Sequence, residues 1–152
     1  MLNRLVRFMR LQAWERHVLL QSLVLLPMMS LRIRWLGLVR AFSHSRGLLD
    51  ARPDHDGDVS VRALRVACLV HAAARHGPFR ATCLPISLTL HRLLQERGIG
   101  ANLRLGVRKA GGRLEAHAWI ERDGEPLMEP PKIGERYAAF DEPIVPGMGA
   151  SR

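Results

Sequence analysis

Cys83 stands at the start of an apolar helical stretch, and His117 lies in an alternating strand that follows it. A thiol at a helix N-terminus with a strand-borne imidazole is a way to build a nucleophile–base pair. Only the thiolate is reactive, and a free thiol is mostly protonated at neutral pH, so a catalytic cysteine needs help. The N-terminal dipole of the helix after Cys83 favours negative charge on its sulfur. An imidazolium nearby favours it further and can later protonate a leaving amine. Backbone N–H groups at the same terminus can hold a developing oxyanion.

A third group should orient the imidazole, and the hairpin after His117 suggests which. If Arg122-Asp123-Gly124 forms a three-residue loop with glycine in the left-handed bulge position, Glu121 faces Glu125. Counting back then pairs His117 with Glu129, and opposed residues share one face of a sheet. A two-residue Asp123-Gly124 turn shifts the register by one and sends Glu129 to the other face. The assignment of Glu129 therefore rests on the loop type, with Asp141 as the reserve acid.

The elements that must position these groups are legible in outline. Residues 4–22 suit an amphipathic helix, and residues 23–42 a second one beginning near Pro27, with Leu31, Trp35, Leu38 and Phe42 on one face. Residues 43–58 read as a polar linker. Ser60 is a candidate N-cap for a helix through Arg75, ended by His76-Gly77-Pro78 with glycine at a left-handed stop. The next helix runs from Cys83 to Arg97, with Pro85 tolerated in its first turn and Gly98 closing it. Cys68 falls on the apolar face of the preceding helix and is expected in the core.

Strands are expected over Leu103–Val107, Leu114–Glu121 and Glu125–Glu129, joined by turns at Ala110-Gly111-Gly112 and Arg122-Asp123-Gly124. Helices followed by hairpins predict an α+β domain. The organisation expected is a basic apolar helical arm over 1–52, a core over 53–145 and a tail over 146–152.

Composition agrees with one modest domain. The chain has 152 residues, nearly half of them apolar, which excludes a disordered protein. Its two cysteines make a disulfide scaffold a poor fit and a reducing compartment a better one. The formal charge is +9, and residues 1–52 hold nine arginines against Glu15 and Asp50, so most of it lies in the arm. The apolar run Val18–Leu31 is shorter than the ~20 residues of a membrane span and is interrupted by Pro27. It is not followed by a signal-peptide cleavage site. Docking to a partner or to the chain's own core fits the arm better, and peripheral contact with an anionic membrane remains open.

The local sequences go further. Arg80-Ala-Thr-Cys83-Leu-Pro-Ile-Ser leads into Leu-Thr-Leu-His-Arg-Leu-Leu-Gln-Glu-Arg-Gly98, then Leu103-Arg-Leu-Gly106-Val, Ala116-His117-Ala-Trp119-Ile-Glu121 and Gly134-Glu-Arg-Tyr137. With Trp14-Glu15-Arg16 in the arm, this resembles the lasso peptide B protein in its discrete form, the leader peptidase, over roughly residues 5–142. That family lies within the transglutaminase-like cysteine protease superfamily. The resemblance implies a papain-like core, with the cysteine on a helix packed against an antiparallel sheet bearing histidine and acid. It carries the family's cysteine onto Cys83, its histidine onto His117 and its third position, usually aspartate, onto Glu129. It also implies a cytoplasmic peptidase that removes the leader of a lasso peptide precursor without a cofactor. Its implied partners are the precursor, a small separate leader-recognition protein and an ATP-dependent lasso cyclase.

Other classes stay in view. The same three groups serve acyl transfer to an amine, and a non-catalytic adaptor could keep the fold. Asp54, Asp56 and Asp58 alternate as in a calcium loop, but Gly57 is misplaced and Arg65 stands where glutamate belongs. Cys68, His71 and His76 lack a fourth partner at zinc-like spacing. The arginines lie among leucines without a nucleic-acid-binding pattern, so nucleic acid is not an expected partner.

Overall fold

A computed structural model describes residues 9–43 and 57–139, the side chains of 36–43 and 139 apart. Helices α1 (Ala13–Ser43), α2 (Gly57–His76) and α3 (Cys83–Gln95) precede strands β1 (Asn102–Ala110), β2 (Arg113–Arg122) and β3 (Glu125–Pro126). A short α4 (Ile133–Arg136) and β4 (Ala138–Ala139) follow. The sheet is antiparallel in the order β3-β2-β1-β4, and the fold is α+β. Several sequence expectations lie outside the described residues: the first helix before residue 9, the outward face at Leu38 and Phe42, Asp54 and Asp56, the boundary at 52/53, Asp141 and the tail.

Helix α3 is the central element. Leu88, Leu90, Leu93 and Leu94 are buried, as are Ser87, Thr89 and His91. It packs on α1, α2 and the β1–β2 hairpin. From α2, Ala63, Val66, Ala67, Val70 and Ala73 recur at helical spacing and are buried, their small size letting the helices approach. Ile99 and Ile120 close the core from the sheet side. Each fully buried leucine contributes about 2–3 kcal/mol through removal of apolar surface from water.

The two N-terminal helices expected from sequence are one continuous helix, α1, with Pro27 inside it. An internal proline costs about 3 kcal/mol in an isolated helix. Here Val18 and Ser22 before it, and Leu25, Leu26 and Met29 around it, are all buried on the same core. Packing on both sides of Pro27 holds the halves in line. One face of residues 13–35 is therefore packed into the core.

The start of α1 is fastened twice. Glu15 accepts the backbone N–H of Gln12 through Oε2 at 2.8 Å, a helix cap, and its Oε1 accepts Arg65 Nε from α2. The Arg65 guanidinium holds the buried Glu15 carboxyl below the usual carboxylate range. Near the other end of α3, Arg97 donates to the Leu93 carbonyl at 2.7 Å and to Gln21 Oε1 of α1 at 2.9 Å.

Boundaries differ from expectation for local reasons. Helix α2 begins at Gly57, so Ser60 lies within it and is not a cap. Gly77 is not left-handed; its N–H reaches the Ala73 carbonyl at 2.7 Å. A Cβ there would sit 2.5 Å from that oxygen, so close approach is what demands glycine. Both hairpins turn on two residues: Gly111-Gly112 (φ 56° and 79°) and Asp123-Gly124 (φ 51° and 82°). Positive φ at both central positions matches the strand twist. Strand β3 stops at Pro126, which has no N–H to donate, instead of running to Glu129. Helix α4 and β4 are too short for periodicity to reveal.

Candidate active site

Cys83 is the first residue of α3, after Thr82 in extended conformation. Ser87 is one turn further on the same helix face. Its hydroxyl donates to the Ala118 carbonyl of β2 at 2.9 Å, buried. That bond pins the start of α3 to β2 one residue from His117. Cys83 and His117 consequently line one pocket of about 230 Å³, with Ile86, Ser87, Leu90, Leu127 and Glu129 in its wall.

His117 Nε2 lies 3.0 Å from Glu129 Oε1, both side chains half-buried. Glu129 is thus brought to His117, but not by the geometry expected. The hairpin pairs Arg122 with Glu125 and Glu121 with Pro126, so the three-residue loop is wrong and the two-residue turn is right. Leu127 N–H still bonds the Ile120 carbonyl at 2.8 Å, and continued pairing would set Glu129 opposite Ala118. The register is corrected by Met128, whose φ of 64° puts a non-glycine residue in the left-handed region. That conformation costs roughly 1–2 kcal/mol. It breaks the strand and swings Glu129 back to the histidine. Glu129 therefore meets His117 through the break at Met128 and not through the hairpin register expected from sequence.

The wall behind His117 is aromatic. His117 stacks on buried Trp119 at 6.1 Å between centroids and meets Tyr137 at 5.3 Å. Trp119 Nε1 donates to Glu121 Oε1 at 2.8 Å, and Arg104 Nε donates to the other oxygen at 2.9 Å. The Arg108 guanidinium lies 4.9 Å from the Tyr137 ring centre. Gly106 pairs with His117 in the sheet and makes room for this stack. A Cβ on it would lie 2.8 Å from Tyr137 Cβ and 3.0 Å from the Trp119 ring. Gly106→Ala should cost about 1–3 kcal/mol of stability. By displacing the wall it should also slow turnover by up to about 10²-fold. Urea unfolding alongside a turnover assay checks both.

Two groups were underrated from sequence. His71 of α2 lines the pocket; burial pushes its pKa below the ordinary histidine value, against the opposing pull of Glu129's charge. Cys68 is half-buried rather than core, with its sulfur 3.6 Å from Met128 Sδ. The two are three residues apart on one helix face, a spacing that weighed as a metal pattern hid their common direction. Among the described residues, no three of His, Cys, Asp and Glu gather in a way that could hold a metal ion.

Chemically, glutamate on Nε2 leaves Nδ1 as the ring nitrogen able to exchange a proton with a thiol. Helix geometry leaves the Cys83 and Leu84 N–H groups without intrahelical acceptors. A thiol, an imidazole and a carboxylate thus line one cavity, and the N–H groups of a helix start stand at the thiol.

Residues 24–141 match the family model described as the transglutaminase-like superfamily. A 64-residue segment is 31% identical to the microcin J25-processing protein McjB of Escherichia coli. That segment is 42% of this chain and 30% of the relative, so the chain matches under a third of that protein's length. No solved structure matches.

Proposed function

We propose that this chain, which belongs to the transglutaminase-like superfamily, is a cysteine peptidase that removes the leader from a lasso peptide precursor. The observation that carries the reading is the His117–Glu129 pair, 3.0 Å apart, on the pocket that holds the helix-start thiol of Cys83. The segment shared with a microcin-processing protein, and the motifs around Cys83 and His117, support the substrate class.

The steps follow from the groups present. Cys83 Sγ attacks the carbonyl at the leader–core junction as its proton passes to His117 Nδ1. The Cys83 and Leu84 N–H groups stabilise the oxyanion of the tetrahedral adduct. Collapse breaks the C–N bond, and His117 returns the proton to the departing core amine. Water, deprotonated by His117, then cleaves the thioester and frees the leader with a terminal carboxylate. Glu129 holds the ring orientation and stabilises the imidazolium. Ile86, Leu90 and Leu127 offer the substrate an apolar side-chain subsite.

In this reading the protein acts in the cytoplasm with a separate leader-recognition protein, and an ATP-dependent cyclase uses the freed amine. Mass analysis of a reaction with precursor, recognition protein and an added primary amine tests it. Leader carrying a free carboxyl is the expected product. Leader coupled to the amine would instead make the protein an acyltransferase.

A further inference from the structure

We propose that the outward face of α1 is a docking surface for an anionic lipid bilayer, with the helix lying in the plane of the membrane. Leu20, Val24, Met28, Leu31 and Trp35 are 53%, 65%, 38%, 57% and 78% exposed. Their spacing of four, four, three and four residues gathers them into an arc of about 80° on the helix. A continuous exposed apolar strip of this kind marks a contact surface.

The charges beside the strip identify what it contacts. Arg16 and Arg34 fall about 80° to one side of its centre, and Arg32 about 80° to the other. Glu15 is the one acidic residue of 9–43, and it is buried against Arg65. The outward face therefore carries cations on both flanks and no anion. Guanidinium groups flanking an apolar strip meet lipid phosphates when the strip enters the acyl boundary. Trp35, at the strip's end, suits the interface, where an indole keeps its N–H in the headgroup layer. The strip itself carries no carboxylate, amide or hydroxyl to set register with a protein partner. A laterally uniform anionic surface fits it better.

The fold decides orientation. The segment Ala13–Trp35 is long and apolar enough to cross a membrane by length and composition alone, and is longer than the run marked from sequence. Yet Val18, Ser22, Leu25, Leu26 and Met29 on its other face are buried in the core. Spanning would strip that face from α2 and α3; lying flat keeps it in place.

The test uses the full chain and vesicles of phosphatidylcholine, with or without about one third phosphatidylglycerol. The protein should sediment with the anionic vesicles, remain free of the zwitterionic ones and be released by salt. A Val24→Glu/Leu31→Glu double variant should bind at least about tenfold more weakly, as should Arg32→Gln/Arg34→Gln. Both should label at Cys83 with a thiol reagent as the parent does, showing an intact fold. Absence of vesicle binding overturns the proposal, as does equal binding by the variants. So does a parent protein whose strip is covered by a second copy, seen as a dimer that Val24→Glu/Leu31→Glu renders monomeric.

Discussion

Cys83→Ala should abolish leader removal, lowering the rate on the order of 10⁴-fold or more, while leaving the fold intact. Loss of the nucleophile removes the covalent route entirely, and what remains is the modest catalysis of oxyanion donors and substrate positioning. Stability should move by no more than about 1 kcal/mol, because Cys83 is half-buried at the rim of a pocket and its sulfur fills no core space. Thermal unfolding and a purified processing assay, read by mass, separate the two effects. Retained cleavage refutes the assignment of Cys83. A thiol reagent at neutral pH should modify Cys83 ahead of Cys68, since only Cys83 starts a helix and shares its pocket with His117. An unreactive Cys83 would speak for a non-catalytic adaptor.

Glu129→Gln should slow the same reaction on the order of 10²-fold, a smaller loss than removal of the nucleophile. The amide can still fill the site next to His117 Nε2, where Glu129 Oε1 now lies at 3.0 Å. It carries no charge to stabilise the imidazolium, however, and its NH₂ end can pair with the wrong ring tautomer. The deficit should appear in kcat more than in KM, because the carboxylate acts through the ring and not on the peptide. Asp141→Asn should change the rate far less. A larger effect from Asp141 than from Glu129 would show that the 3.0 Å pair is not the one that orients the base.

The particular residues explain how much could be read in advance. Helix α3 was plain because Leu84, Leu88 and His91 recur at helical period and Pro85 sits where a missing N–H costs little. The β1–β2 hairpin was plain because Gly111-Gly112 separates two alternating runs. Pro27 misled, since a local breaker was overruled by burial on both sides of it. Helix α4 and β4 were invisible because four residues and two cannot display a period. His71 went unrecognised as a pocket residue because its partners there, Cys83 and His117, come from other elements.

Residue type and spacing alone mark the side chains able to do chemistry: a thiol opening a helix, an imidazole on a strand, and a glutamate twelve residues beyond it. Those are properties of residue type and short-range periodicity, which local sterics and the backbone's hydrogen bonds express without reference to the rest of the chain. That the three line one cavity follows from long-range packing. That depended on a serine-to-carbonyl bond between α3 and β2, and on a glycine that admits Trp119 and Tyr137 behind the ring. It depended also on a left-handed methionine that turns Glu129 against the register of its own hairpin. These contacts join elements distant in the chain or override a local preference, and their free energy comes from packing that no short window of residues contains.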